Sequence, residues 1–331
     1  MTRVKGWLCA SVCALLVLLN GCGGYKEDGT VIRLAHGLDT QHPVHQSLVY
    51  MNDVLKELSG GEMSLVIYSS GQVGSEREVL ELIQIGSMGM TKVSASSLEA
   101  FVPQMKVFSL PYLFNDENHY WQTLESELGS ELLDAGQPFL IKGLGYFDAG
   151  SRSFYTTSKK VTGPDDLSGL KVRVMSSQSA VEMVNTMGGS ATPISWGELY
   201  TSLQQGIVDA AENNPPSFYF SKHYEVSKYF IVDEHTSIPD VIVIGTHVWN
   251  QLSEQQKSWL QEAMSKATAY QRKLWAESTA MSLQKVREAG VEVMEVDKGQ
   301  FQDSVKPIYE RIKGTPLESL VDRIRQLGGQ S

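Results

Sequence analysis

Beyond residue 22 the chain has no cysteine: its three, Cys9, Cys13 and Cys22, all lie at the N-terminus. That excludes a disulfide framework, a zinc-thiolate site and a cysteine nucleophile from the body of the protein. Proline is scarce, 11 in 331 residues, and the 42% hydrophobic and 20% charged fractions are those of a globular chain rather than a disordered or fibrous one. Positive charge is in deficit. The 28 Lys and Arg against 38 Asp and Glu leave a formal charge of −10, so the basic face that nucleic-acid binding needs has no compositional support. Outside the N-terminal segment no apolar run reaches the roughly 18 residues of a membrane-crossing helix. His-Glu-x-x-His, Gly-x-Ser-x-Gly, the phosphate-cradling Gly-x-x-x-x-Gly-Lys and a strand-following Gly-x-Gly-x-x-Gly are all missing, which weakens the case for an enzyme.

What is present begins with an address. Residues 1–22 read MTRVKGWLCASVCALLVLLNGC, with Arg3 and Lys5 ahead of an apolar stretch from Trp7 to Leu19 and a small-residue exit at Asn20-Gly21-Cys22. That is the pattern of an export signal. Leu19-Asn20-Gly21-Cys22 is similar to a bacterial lipoprotein box, which makes Cys22 a lipidation candidate. Simple cleavage into the periplasm is the alternative, and a buried first helix the bland one.

The remaining length suits two domains of roughly 100–200 residues. Residues 31–35, 63–68 and 90–93 read as strands, with helices over 44–58 and 76–85, the second opened by a capping box from Ser75 to Glu78. A helix is expected over 116–134, and strands over 140–145, 153–156, 171–175, 208–211 and 241–246. Helices are expected over 179–187 and, from a second capping box at Ser195 and Glu198, over 196–205. Residues 253–289 contain neither Pro nor Gly. With a capping box at Ser253 and Gln256 and a stop at Gly290, they predict one long helix or two abutting ones. At about 1.5 Å per residue this reaches roughly 55 Å, enough to brace both domains. The organisation expected is an α/β domain over 30–150 that receives returning segments from the C-terminal half, and a second α/β domain over 151–250. The long helix follows over 253–290, then a C-terminal strand and helices packing back over 291–331.

Chemistry concentrates in a few places. Arg173 alternates with Val172 and Val174 along a strand, and a two-layer domain seldom buries arginine without an anion to meet it; a solvated edge strand is the bland account. Arg152 precedes another strand and reads equally as a surface cation. A guanidinium matches a carboxylate bidentately, so one well-placed arginine selects acids. Asn213 and Asn214 end a short strand, where open α/β sheets place ligands, and their amides suit hydroxyls and carboxylates alike; a plain turn is the alternative. Trp196 at a helix start could stack on a sugar face or simply pack in the core. Glu76 could accept from ligand hydroxyls or be an exposed first-turn acid. His42 and His45 are spaced to touch one metal ion, but no further ligand completes a set, so no metal is expected; with His36 and Gln41 they read as a polar rim.

The segments Gly71-Gln72-Val73-Gly74-Ser75-Glu76-Arg77-Glu78, Phe108-Ser109-Leu110-Pro111-Tyr112-Leu113-Phe114, Leu167-Ser168-Gly169-Leu170-Lys171-Val172-Arg173-Val174, and Trp196-Gly197-Glu198-Leu199-Tyr200 through Asp209-Ala210-Ala211-Glu212-Asn213 resemble the solute receptors of tripartite ATP-independent periplasmic (TRAP) transporters, the DctP family. The resemblance spans about residues 30–315. It implies two α/β domains closing on a ligand like a flytrap, with a long helix crossing both. It implies further that Arg173 binds the ligand carboxylate, that Asn213 contacts it, that Trp196 lies over the ligand and that Arg152 lines the cleft. His36 stands where many such receptors carry an asparagine or similar polar group. The stretches around Arg152 and around Asn213, with His223-Tyr224-Glu225 and Asp233-Glu234-His235, look like the branch that binds hexuronates such as glucuronate and galacturonate.

A uronate, with one carboxylate and several hydroxyls, fits an arginine clamp ringed by His36, Glu76, Asn213 and Asn214, with His42 close by. A second carboxylate would sit poorly beside Glu76. The resemblance implies a periplasmic, non-enzymatic, cofactor-free receptor that hands its ligand to a sodium-coupled membrane permease; a monomer is the separate expectation. Aldonates, diketogulonate and C4-dicarboxylates are the rival ligands. The rival functions are an exported uronate-modifying enzyme using His42 or His45 as base, and a receptor feeding a signalling kinase.

Overall fold

Two sheets, not one, organise the chain, and the computed structural model describes residues 29–329 of it. The N-terminal address and Cys22 lie outside the described residues. The first sheet opens with β1 (Thr30–Ala35), α1 (Pro43–Leu58), β2 (Met63–Tyr68), α2 (Glu76–Gln84) and β3 (Met90–Ser94). β1 runs parallel to β2 from Thr30 opposite Met63 to Ala35 opposite Tyr68, and also parallel to β3. These are the strand-helix-strand crossover units that the alternation of apolar strand and amphipathic helix dictates. Helix α2 is opened by the expected capping box between Ser75 and Glu78.

A short α3 (Ala95–Leu98) and a 3-10 turn (Pro103–Ser109) lead to α4 (Glu117–Leu124) and α5 (Glu127–Asp134). The single helix expected over 116–134 is thus two. Glu125 ends the first, and the Ser126 hydroxyl accepts from the Gly129 amide to start the second. β4 (Ile141–Phe147) then completes the edge of the first sheet.

The second sheet is built from β5 (Ser151–Thr156), β6 (Lys171–Val174), β7 (Ser190–Pro193), β8 (Ala210–Asn213), β9 (Tyr229–Ser237) and, late in the chain, β11 (Glu292–Glu295). Its order is β11-β9-β5-β8-β6-β7, and that of the first sheet, once β10 (Asp240–Gly245) is counted, β2-β1-β3-β10-β4. Three helices, α6 (Gln178–Thr186), α7 (Trp196–Gln204) and α8 (Pro215–Phe220), connect its strands. Ser195 makes no cap bond to the backbone of α7; its hydroxyl donates instead to the Glu198 carboxylate, so the second expected capping box is not formed. β10 (Asp240–Gly245), inside the stretch 151–250 expected in the second domain, crosses back and lies antiparallel between β3 and β4 of the first sheet. A wholly buried, mostly β-branched strand needs neighbours on both sides, and the first sheet supplies them.

After α9 (Thr246–Gln251), α10 (Glu254–Glu288) runs unbroken for 35 residues, opened by the capping box between Ser253 and Gln256. It packs on α1 and β4 at one end and on α8 and β11 at the other, so one helix braces both halves. The last helices among the described residues are α11 (Lys298–Ser304), α12 (Lys306–Ile312) and α13 (Pro316–Leu327). No helix among the described residues is long and apolar enough to cross a membrane.

Candidate functional site

A cavity of about 620 Å³ lies between the two sheets. Its walls come from the loop after β1, the start of α2 and β3 on one side, and from β6, the start of α7 and the end of β8 on the other. Arg152, Arg173, Trp196, Asn213, Asn214, Glu76 and His42 all reach it.

Arg173 sits on β6, flanked in the sheet by β7 and β8, and is only 2% exposed. This is the interior strand that the alternation around Arg173 anticipates, not a solvated edge. Its Nε donates to the Ile194 carbonyl at 2.8 Å, while Nη1 is buried without a partner among the described residues. The guanidinium lies 5.6 Å from the centre of the Trp196 ring, a cation–π arrangement. Burial pulls its pKa below the ordinary value, the mark of a cation short of compensation.

Arg152 lines the same cavity but is already paired. Its Nε and Nη2 hold the Glu212 carboxylate, Nη2 also donates to the Glu212 carbonyl at 2.9 Å, and Nη1 donates to Asn213 Oδ1 at 2.9 Å. Burial would raise the Glu212 carboxyl, yet Arg152 and His235 together more than reverse this and hold it at about 2. Behind the pair, His235 Nδ1 lies 2.7 Å from Asp233 and its Nε2 3.5 Å from Glu212. The cluster is balanced in charge, and Arg77, the third arginine at the cavity, pairs with Glu81, so among the described residues Arg173 is the cleft arginine whose positive charge is unanswered.

Asn213 Oδ1 also accepts from the Asn214 amide at 2.9 Å, which leaves the Asn213 NH2 donors for the cavity. Asn214 Oδ1 caps α8 by accepting from the Ser217 amide at 2.8 Å, which likewise leaves its NH2 free. Trp196, the first residue of α7, faces Gly37 across the cleft so closely that a Cβ added at Gly37 would stand 3.8 Å from Trp196 Cδ1.

On the opposite wall Glu76 is bound to Lys92 Nζ at 3.0 Å and to the Ser94 amide at 3.2 Å, and Lys92 Nζ reaches Asp240 at 3.3 Å. Burial would raise the Glu76 carboxyl; Lys92 and the hydrogen bonds bring it below its usual range. Sequence reasoning missed Lys92 and Asp240. A lysine in the middle of the buried run Met90-Thr91-Lys92-Val93-Ser94 was the available signal.

The histidines part ways. His42 Nδ1 accepts from the Val44 amide at 3.2 Å, capping α1, and Nε2 lies 3.3 Å from Ser217 Oγ. Burial holds His42 neutral, and with both ring nitrogens engaged it has no lone pair to serve as a base. His36 is not brought to the cavity wall. Its Nδ1 accepts from the Leu38 amide at 3.1 Å and Nε2 meets His45 Nδ1 at 3.0 Å, so both ring nitrogens are engaged in fixing the loop. Among the described residues no group of three or more His, Asp or Glu side chains could hold a metal ion.

Comparison with known proteins identifies the relatives of this chain. The family described as "Bacterial extracellular solute-binding protein, family 7" (DctP) matches residues 34–315. A TRAP periplasmic solute-binding protein from Bradyrhizobium, solved with α/β-D-galacturonate, is 37% identical, covering 89% of this chain and 99% of that one at a TM-score of 0.87. Another, from Chromohalobacter salexigens with bound D-glucuronate, is 34% identical over 89% of this chain and 99% of its own, at 0.86. A third, from Polaromonas bound to D-erythronate, is 28% identical over 89% and 98%, at 0.87. With an α/β two-sheet body, a 35-residue brace and a cleft carrying an unmatched arginine, the chain belongs to the DctP family of TRAP solute-binding proteins.

Proposed function

We propose that this protein is the extracytoplasmic receptor for a sugar acid, most directly D-glucuronate or D-galacturonate, held by its carboxylate on Arg173 and delivered to the membrane permease subunits of a sodium-coupled TRAP transporter. The observation that carries this reading is the buried, unpartnered Nη1 of Arg173 at a cavity whose far wall presents carboxylates. A desolvated guanidinium without an anion is costly, and a ligand carboxylate relieves that cost with a charge-assisted bond. Asn213, Asn214 and Glu76 then meet the hydroxyls, Trp196 covers the sugar face, and His42 seals the cleft floor. His36 contributes by shaping the loop.

Contacts to both walls are available only when the sheets approach, so the ligand favours the closed arrangement by its differential affinity for it. The neighbours solved with galacturonate and glucuronate support the ligand class. The erythronate complex keeps a shorter aldonic acid as the second reading. On this proposal residues 1–22 direct export to the periplasm, Cys22 is the point of lipid attachment, the receptor acts as a monomer, and no chemical step is performed on the ligand.

Titration calorimetry of the purified protein against glucuronate, galacturonate, erythronate and succinate tests it. Tight binding of a uronate supports the proposal. Tight binding of succinate with silence toward both uronates overturns the ligand class.

A further inference from the structure

We propose that Lys92 and Asp240, acting with Glu76, set the specificity of the cleft: they read ligand hydroxyls and exclude a second carboxylate. This deepens the sugar-acid reading and rests on it. All five residues of β3 are buried, and Lys92 stands at their centre, its side chain 6% exposed. The neighbouring β10 places Asp240 opposite Ser94, at the same end of the sheet. Lys92 Nζ therefore meets Glu76 Oε1 at 3.0 Å from the start of α2 and Asp240 Oδ1 at 3.3 Å from the start of β10.

One ammonium faces two carboxylates, so this wall carries one net negative charge. Across the cavity, Arg152 is neutralised by Glu212 while Arg173 is not. The cleft is thus a charged dipole, positive at Arg173 and negative at the Glu76–Lys92–Asp240 cluster. A ligand with an acid at one end and hydroxyls at the other has a single favourable orientation in it.

The chemistry of the cluster matches a polyol. Each carboxylate keeps a second oxygen beyond the one turned to Lys92, and both are acceptors that a hydroxyl can donate to. The ammonium has three donors and spends two on Glu76 and Asp240, which leaves one for a ligand oxygen. A second carboxylate has no proton to donate and would meet two like charges in a desolvated site. A purely structural strut between α2 and the sheet would use the same ion pairs but would make no distinction between ligands.

The test compares galacturonate with galactarate, which has the same carbon skeleton and a second carboxylate in place of the aldehyde carbon. Calorimetry is run on the full-length protein and on its near-isosteric variants Glu76→Gln and Asp240→Asn. Because like-charge juxtaposition at a buried contact costs several kcal/mol, the wild type should prefer galacturonate by about 100-fold or more. Either variant should narrow that preference to about tenfold or less, chiefly by gaining affinity for galactarate. Far-ultraviolet circular dichroism and thermal unfolding establish that the variants are folded. Wild-type binding of galactarate as tight as galacturonate, or an unchanged ratio in both folded variants, overturns the proposal. Failure of the parent reading looks different: the wild type binds neither galacturonate nor glucuronate while still preferring another hydroxy acid over its dicarboxylate, a result that supports the exclusion wall without the uronate.

Discussion

Gln271 holds the strand crossing at Asp148 by two hydrogen bonds: the Asp148 amide donates to Gln271 Oε1 at 2.8 Å and Gln271 Nε2 donates to the Asp148 carbonyl at 2.8 Å. The carboxamide, fully buried on the long helix, thereby satisfies both backbone groups of a residue that leaves one sheet and has not yet joined the other. The brace is tied to the chain where it passes from β4 to β5. Replacing Gln271 by Ala strands two buried backbone groups, at about 2–4 kcal/mol in total. Gln271→Glu is the sharper probe, since a carboxylate still accepts from the amide but cannot donate to the carbonyl, so its loss should be intermediate or, with the charge buried, larger. Thermal unfolding of both variants measures this, and melting curves that overlay the wild type would remove Gln271 from the account.

Much of this architecture is legible in the chain. The Lys171-to-Val174 alternation announces an arginine on a buried strand, and the absence of Pro and Gly over residues 253–289 announces the brace. Other features are hidden because they are relations between distant residues. Arg152 and Arg173 look alike in sequence, and only the fold shows that Glu212, 60 residues on, has neutralised the first. Lys92 and Asp240 are 148 residues apart and meet only through the insertion of β10 into the first sheet. β9 escapes notice because Asp233, Glu234 and His235 interrupt its apolar pattern, although Asp233 and His235 are fully buried as a pair. β7 is short and ends in Pro193. His36 reads as a ligand contact, but the ring is claimed by Leu38 and His45.

Arg173 should carry most of the affinity for an acid. Arg173→Ala removes a desolvated charge-assisted contact worth roughly 2–5 kcal/mol, which calorimetry would read as at least a 30-fold rise in Kd. Arg173→Lys keeps the charge but loses the planar fork, the Nε bond to Ile194 and the stacking on Trp196, so it should recover only part of the loss. Uronate affinity within threefold of wild type in Arg173→Ala would refute the clamp.

Glu99 links two elements through a different set of contacts. Its carboxylate accepts from Ser109 Oγ at 3.0 Å, from Ser177 Oγ at 2.8 Å and from the Ser179 amide at 3.0 Å. Ser177 in turn caps α6 by accepting from the Ala180 amide at 3.0 Å. Glu99→Ala should leave these donors unanswered and cost about 2–4 kcal/mol, whereas Glu99→Gln, which retains one acceptor oxygen, should cost less. Chemical denaturation of the pair decides; equal stability of Ala and Gln variants would mean that the donors find water instead.

Stability above neutrality should depend on His235. Burial alone would push this imidazole down, but Asp233 at 2.7 Å and Glu212 at 3.5 Å more than reverse it and hold the pKa up at about 9, against 6.5 for an unconstrained histidine. A group raised on folding binds its proton more tightly in the native state. Its contribution is therefore complete below about pH 6.5 and is lost as the pH climbs through about 9, a difference on the order of 3 kcal/mol. Two other buried carboxyls titrate outside that window. Asp148, pushed up to about 6 by burial, loses its contribution between its ordinary 3.8 and about 6, and Glu212, held at about 2, loses its own as the pH falls from 4.5 toward 2. The melting temperature of the wild type should accordingly fall between pH 6.5 and 9, and His235→Gln, which cannot take up the proton, should start lower and show a flatter curve over the same range. Parallel curves for the two proteins across that interval would mean that His235 is neutral in the folded state and takes no part in the pH dependence.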